Sequence, residues 1–123
     1  MSCVVGIQIG EQRIALTFKR RPVLIVQNNR DNTNPRYRYL IVAPVHSLRA
    51  GELARIQEAD YPADLVLIPP EGGLTRPSVV FLNQLRTLNK NLLMEQMGTL
   101  PDTRMAELNV RLALSLGLIE AQK

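Results

Sequence analysis

Sulfur, imidazole and aromatic groups are scarce in this sequence: one cysteine, one histidine, no tryptophan, three tyrosines and two phenylalanines in 123 residues. A single cysteine, Cys3, cannot form an internal disulfide and reads as a buried or incidental thiol. Together with His46 it falls short of the four ligands of a usual structural zinc site. No apolar run approaches the ~20 residues of a membrane-spanning helix. The opening Met1-Ser2-Cys3-Val4-Val5 lacks the charged-then-apolar plan of a secretory signal, so a cytoplasmic location without membrane association is expected. Gly72-Gly73 is not followed by the Lys-Ser/Thr of a phosphate-cradling loop, and no Gly-x-Ser-x-Gly occurs. The eleven carboxylates are scattered, with no close pair suited to a metal. Magnesium-dependent nuclease chemistry therefore has no support, although separate strands could converge, and neither metal nor cofactor is expected.

What is present is enough for one core and one domain, taken as residues 1–123. Hydrophobic residues make up 46% of the chain, which argues against disorder. The net charge is +4, carried by twelve arginines and three lysines against eleven carboxylates. Residues 1–55 hold a net +6 and residues 56–123 a net −2. A basic, arginine-rich half suits a polyanion, because the guanidinium fork matches phosphate oxygens. A solvated basic surface is the equal alternative on charge alone.

The local pattern predicts short strands over Val4–Ile9 and Ile14–Phe18, joined by a turn at Gly10-Glu11-Gln12. Pro22–Val26 is a continuous branched run, as in a strand buried on both faces. Asn28–Pro35 is dense in turn formers and reads as an exposed loop. Arg38–Val45 is a further strand, with Pro44 suggesting an edge or a bulge. Residues 50–59 form a short helix, with Leu53 and Ile56 on one face. Ala63–Ile68 is a strand stopped by Pro69-Pro70, and Glu71-Gly72-Gly73 is a turn. Ser78–Leu82 is a strand, and Gln84–Leu88 is extended, directly or after a bend. The clearest helix is the last. Pro101 suits its first turn, Asp102 and Glu107 suit the helix dipole, and Met105, Leu108, Leu112, Leu116 and Ile119 form one apolar stripe. Strands followed by a terminal helix predict a mainly β fold, a compact barrel or strongly bent sheet capped by a helix.

Three places carry chemistry. His46 brings the only side-chain type that ordinarily titrates near neutrality, at the end of a strand. A lone histidine is more often an ordinary hydrogen-bonded residue. Lys19-Arg20-Arg21 precedes the apolar strand, and Pro22 confines Arg21 to extended geometry. Strand alternation would set Arg20 and Arg21 on opposite faces, and a solvated strand edge is the plainer explanation. Arg36-Tyr37-Arg38-Tyr39, if extended, points both arginines one way and both tyrosines the other. Arginine on phosphate with tyrosine on bases suits single-stranded nucleic acid, and a twisted edge strand with tyrosine in the core suits the pattern equally.

Arg21-Pro22-Val23-Leu24-Ile25-Val26-Gln27-Asn28-Asn29 closely resembles the Arg-Pro-apolar strand of the MazF/PemK toxin family. Ile41-Val42-Ala43-Pro44-Val45-His46-Ser47 is similar to the family's next long strand. Ser78 to Lys90 is similar to its late strand, with Gln84-Leu85-Arg86-Thr87-Leu88-Asn89-Lys90 matching Gln-hydrophobic-Arg-Thr-hydrophobic-Asp-Lys. Gly98-Thr99-Leu100 and the terminal helix follow in the family order, and the likeness covers about residues 20–120. The resemblance implies a small SH3-like barrel with a C-terminal helix, here with a short helical insertion over 48–60. It implies a homodimer, a cognate antitoxin, and metal-independent cleavage of single-stranded RNA by the neighbouring 2′-hydroxyl. Residue by residue, Arg21 matches the catalytic arginine. The catalytic threonine position falls at His46, with Ser47 next to it. His46 would act as base or acid, and Ser47 would hydrogen-bond a phosphate oxygen. Arg20, Arg36, Tyr37, Arg38, Tyr39 and Arg86 are candidate RNA contacts, with a structural ion pair the favoured reading for Arg86. Two other readings share this fold. One is a toxin acting on a protein such as gyrase through the helix end at Gly117-Leu118-Ile119. The other is a binding protein without catalysis.

Overall fold

The computed structural model describes residues 13–17, 21–26 and 29–120. The expectations for Cys3, the strand Val4–Ile9, the turn Gly10-Glu11-Gln12 and Arg20 lie outside the described residues. The elements are β1 (Arg13–Thr17), β2 (Pro22–Ile25), α1 (Asn29–Thr33), β3 (Tyr39–Ser47), α2 (Ala50–Ala59), β4 (Asp64–Leu67), β5 (Ser78–Phe81), β6 (Arg86–Asn89), β7 (Leu93–Thr99) and α3 (Asp102–Ser115). Single 3-10 turns occupy Glu71–Gly73 and Lys90–Leu92. The mainly β class, the inserted helix and the terminal helix are as the sequence predicts.

All seven described strands pair antiparallel, in the order β4-β5-β3-β2-β1-β7, with β6 attached to β3. β4 and β7 do not pair with each other, so the bent sheet is not a closed barrel. The seam is filled by a backbone contact instead. A Cβ placed on Gly98 of β7 would lie 2.6 Å from the carbonyl carbon of Gly72, and one on Gly73 would lie 2.0 Å from the Met97 oxygen. Gly73 also sits at φ +74°, where a side chain is strained. The Glu71–Gly73 turn thus packs main chain to main chain against β7.

β3 is the central strand. On one side Val42, Ala43 and Pro44 pair with β2. On the other, Tyr39–Val42 pair with β6 and Val45–Ser47 pair with β5. The Val26 amide donates to Ile41, so odd residues of β3 bond toward β2 and even ones toward β6 and β5. Pro44 therefore directs its missing donor into the gap between β6 and β5, where no ladder bond is required. The proline marks neither an edge nor a bulge but a change of neighbour.

Strand alternation sorts the core into two clusters. Ile14, Leu24, Ala43, Val45, Leu65, Leu67, Val80 and Leu82 pack under α3 through Leu108, with Met105 and Leu112 half-buried beside it. Ala15, Val23, Ile25, Leu40, Val42 and Leu93 form a smaller cluster on the other face. The apolar stripe of the last helix is shorter than the sequence pattern suggests. α3 ends at Ser115, Gly117 turns the chain at φ +74°, and Leu116 and Ile119 are exposed. The expected loop at Asn28–Pro35 contains α1. Its end is held by a tertiary contact, because the Lys90 ammonium donates to the Asp31 and Asn34 carbonyls at 2.7 and 3.0 Å. Arg36 to Tyr39 does not form an alternating strand, for Asn34 draws the chain into a turn that accepts from the Arg36 and Tyr37 amides. The strand begins only at Tyr39. Sequence pattern offered no sign of β7, whose Leu93-Met94-Glu95-Gln96-Met97-Gly98-Thr99 lacks clear alternation.

α3 is clamped by an ion-pair network. Arg104 binds Glu71 at 2.7 Å and Glu107 at 2.6 Å, while Arg111 binds Glu107 at 2.8 Å, Asp60 at 2.9 Å and the Tyr61 carbonyl at 3.0 Å. Burial by itself would push the Glu107 carboxyl up, but the hydrogen bonds from Arg111 and Arg104, with their charges, outweigh it and hold it below its usual value. Asp64 is pushed the other way by burial, partly offset by the Arg111 charge.

Two outcomes follow for stability. Gly98→Ala forces the turn off β7 and is expected to lower the unfolding free energy by about 1–3 kcal/mol in urea titration. A lowered folded pKa means that the stability Glu107 contributes is present above its ordinary pKa of 4.5 and is lost as pH falls through the folded value. The raised Asp64 contributes in the opposite sense and softens the loss. Melting temperature should therefore drop on acidification below pH 4.5. In Glu107→Gln the melting temperature should be lower near neutrality and flatter across that acid range.

Candidate nucleic-acid interface

The change of neighbours along β3 parts β5 from β6, and a cleft of about 830 Å³ opens beside the break. Its apolar lining comes from both clusters, Val23, Val42 and Leu88 from the smaller and Val45, Leu74 and Met97 from the larger. Leu40, Val42, Pro44 and His46 share one face of β3. In register Val42 opposes Arg86, Pro44 opposes Val23 and His46 opposes Val79. One face thus carries His46 and Arg86 over an apolar floor.

Arg21 enters from the β1–β2 side. Its backbone is held twice by Thr17: the Thr17 amide donates to the Arg21 carbonyl at 3.0 Å, and the Arg21 amide donates to Thr17 Oγ1 at 3.3 Å. Pro22 then locks the next φ. The guanidinium is exposed but its root is fixed, which lowers the entropy lost when it grips a ligand. His46 lies against Phe81, ring centroids 5.1 Å apart and tilted by 52°. Ser47 borders the cleft from the end of β3, opposite Ser78 in register.

Arg21, His46, Ser47 and Arg86, four of the residues singled out in the sequence, line this one cleft. Arg21 and Arg86 make no ion pair among the described residues, so the structural alternative for Arg86 has no partner there. Arg36, Tyr37, Arg38 and Tyr39 are not among its lining residues. They lie at the other end of β3, where Tyr37 and Tyr39 meet edge to face at 6.1 Å and both stay exposed. The core placement considered for these tyrosines is therefore not found.

Sequence reasoning missed Thr17, Thr75, Arg76, Ser78 and Gln84, all in the lining. Arg76 had no motif around it and arrives on the chain between the Glu71–Gly73 turn and β5. Gln84 stood inside the late-strand motif, which was the available signal for it. The described lining holds three arginines, one imidazole, several hydroxyls and no carboxylate. No group of three or more histidine, cysteine, aspartate or glutamate side chains gathers among the described residues. The donor set therefore suits an anion of phosphate type, contacted by guanidinium and hydroxyl groups. No helix among the described residues is long and apolar enough to cross a membrane.

Comparison with known proteins gives the family and the fold. A curated Endoribonuclease MazF of Staphylococcus saprophyticus is 37% identical over 98 residues, 80% of this chain and 74% of that protein. An endoribonuclease from a mycobacterial species superposes with a TM-score of 0.70 at 21% identity, covering 94% of this chain and 99% of that one. A mycobacterial endoribonuclease in complex with its cognate antitoxin gives 0.69 at 22% identity, covering 91% and 98%. These two structures share the fold. The family model described as PemK-like, MazF-like toxin of type II toxin-antitoxin systems matches residues 5–116, and with that match and the 37% relative the chain belongs to this toxin family.

Proposed function

We propose that this chain is the toxin of a type II toxin–antitoxin pair, a single-domain endoribonuclease that cuts single-stranded RNA at a short sequence without a metal ion. The observation that carries the reading is the convergence of Arg21, His46, Ser47 and Arg86 on one cleft whose described lining holds no carboxylate, in a chain of this family. The curated relative named endoribonuclease supports the activity.

In the reaction the 2′-oxygen bonds to phosphorus as the 5′-oxygen leaves, giving a 2′,3′-cyclic phosphate and a free 5′-hydroxyl. The 2′-hydroxyl loses a proton, the leaving oxygen gains one, and charge accumulates on the non-bridging oxygens. Arg21, firmly rooted by Thr17 and Pro22, stabilises that charge. A guanidinium stays protonated in proteins, so it is not the base. His46 moves a proton as base or acid, and the tilted Phe81 ring restricts its orientation. Ser47 hydrogen-bonds a phosphate oxygen. Arg86 binds a neighbouring phosphate, and the apolar floor at Val42 and Leu88 keeps part of the site dry. Tyr37 and Tyr39, with Arg36 and Arg38, offer a stacking and charge surface at the far end of β3. Arg20 belongs to the same set by sequence. A second copy and an antitoxin are the expected protein partners, and the exposed Leu116, Leu118 and Ile119 beyond α3 provide apolar surface for one of them.

Incubation of the purified protein with mixed-sequence single-stranded RNA in EDTA tests this. Cuts at a recurring short motif with cyclic-phosphate ends are expected, and Arg21→Ala should slow them by about a hundredfold or more while its melting curve is kept. Cutting at the parental rate by Arg21→Ala would overturn the assignment. Thr17→Val should lower kcat by about tenfold through loss of the Arg21 anchor, with Thr17→Ser retaining activity. RNA left intact by the folded, antitoxin-free protein would favour a protein target engaged through Gly117–Ile119.

A further inference from the structure

Next to the cleft runs a second, open groove of about 990 Å³ along the start of α2, lined by Ser47, Leu48, Arg49, Gly51, Glu52, Arg55 and Arg76. Ser47 and Arg76 line both spaces, so groove and cleft adjoin there. Three of these residues contribute a guanidinium group and one a carboxylate. That carboxylate is already engaged: Glu52 Oε1 accepts the Arg49 amide at 3.1 Å, where it closes the first turn of the helix. Arg49, Arg55 and Arg76 make no ion pair among the described residues and are exposed. Arg104 and Arg111, on the far side of α2, are by contrast fully engaged with Glu71, Glu107 and Asp60.

Helical spacing explains the groove. Arg49 stands at the N-cap, and Glu52 and Arg55 follow at steps of three residues, on one side of α2. Arg55 is the exposed end of that series, whereas Leu53 and Ile56 are half-buried. Gly51 has open space where a Cβ would stand, so it leaves the groove wall low between the arginines. Leu48 is pinned beside them, its amide donating to the Pro77 carbonyl at 2.8 Å, which holds the Arg76 segment against the end of β3.

We propose that this α2 groove is an RNA subsite: it binds the phosphates of nucleotides flanking the cut on one side, with Arg76 handing the strand from cleft to groove and Arg49 and Arg55 tracking it onward. The inference rests on the proposed ribonuclease reading. An open channel with three guanidinium groups against one carboxylate fits a flexible polyanion, whose binding depends on salt and length rather than on base identity. The helical insertion that the sequence marked at 48–60 then has a role: it lengthens the interface with the substrate without changing the reacting centre.

The test uses two RNAs carrying the same mapped cut site, one trimmed to about six nucleotides and one extended to about twenty. In the parent protein the long RNA should be cut with the higher kcat/KM. In Arg49→Ala/Arg55→Ala that advantage should shrink about tenfold, through KM, and the salt slope for the long RNA should fall by about 1.4, at ~0.7 for each phosphate no longer neutralised. Arg30→Ala in α1, at the opposite end of β3, is the charge control and should leave the advantage intact. An unchanged length advantage and salt slope in the double variant would overturn the groove. Parent protein that cuts neither RNA would overturn the ribonuclease reading instead. Fluorescence anisotropy with the same two RNAs then decides the groove alone: a parental preference for the long RNA that disappears in the double variant supports it, and equal binding overturns it. Preference of the groove for a poly-glutamate peptide over the long RNA would also overturn it.

Discussion

β3 has to serve three neighbours, and a proline at residue 44 is what allows it. Along one edge the strand keeps β2 throughout its middle. Along the other it gives up β6 after Val42 and takes β5 from Val45. A residue with an amide hydrogen at that point would aim a donor into the gap, where neither β6 nor β5 offers an acceptor. Proline presents none. The parting of β6 from β5 is therefore tolerated, and the parting is the cleft. Val42, Pro44, His46 and Ser47 line it in succession because they belong to the strand that makes the break.

The seam at β7 carries the complementary burden. An unclosed sheet leaves two strand edges that need cover. Here the Glu71–Gly73 turn presses its main chain on β7, which only glycine at 98 permits. Glu71 of that turn is bound by Arg104 of α3 and also accepts the Ile68 amide. Through Glu107 and Arg111 the network continues to Asp60 at the end of α2. The acidic excess of residues 56–123 is thus partly used in holding α3. Among the described residues, the arginines of the cleft and of the adjoining groove are left without carboxylate partners, so the basic surface stays available to an anion. An isolated exposed pair would contribute little, whereas a branched network on partly buried groups has a defined geometry to impose.

The elements that sequence pattern placed well were those with a local cause. Pro22 to Ile25 is continuous branched apolar sequence and became a buried strand. Asp64 to Leu67 ended at two prolines, and Leu108 with the half-buried Met105 and Leu112 made the inward stripe of α3. Elements with a distant cause were misread. α1 stands in a run of asparagines that reads as a loop, and it is held by Lys90, far along the chain. The alternation of Arg36 to Tyr39 was overruled by Asn34, which folds the segment before the strand begins. β7 has no pattern of its own because a bulged register against β1 and a glycine contact define it. The site divides in the same way. Arg21, His46, Ser47 and Arg86 were legible because each sits in a family-like motif. Thr17, Thr75 and Arg76 were not, because their role is contact across the fold.

By itself the sequence determined the class of fold, the family and the chemical character of the chain. Apolar periodicity, turn residues and an arginine surplus are properties of neighbouring residues and need no third dimension. Tertiary structure alone decided that the sheet stays open, that Pro44 marks a change of partner, and which arginines are drawn into the clamp on α3 and which face the cleft. It also decided that Arg76 joins the cleft to the groove over α2. Those outcomes depend on which distant backbone groups and charges meet, and hydrogen bonds and ion pairs over a few ångströms are set by packing rather than by order along the chain.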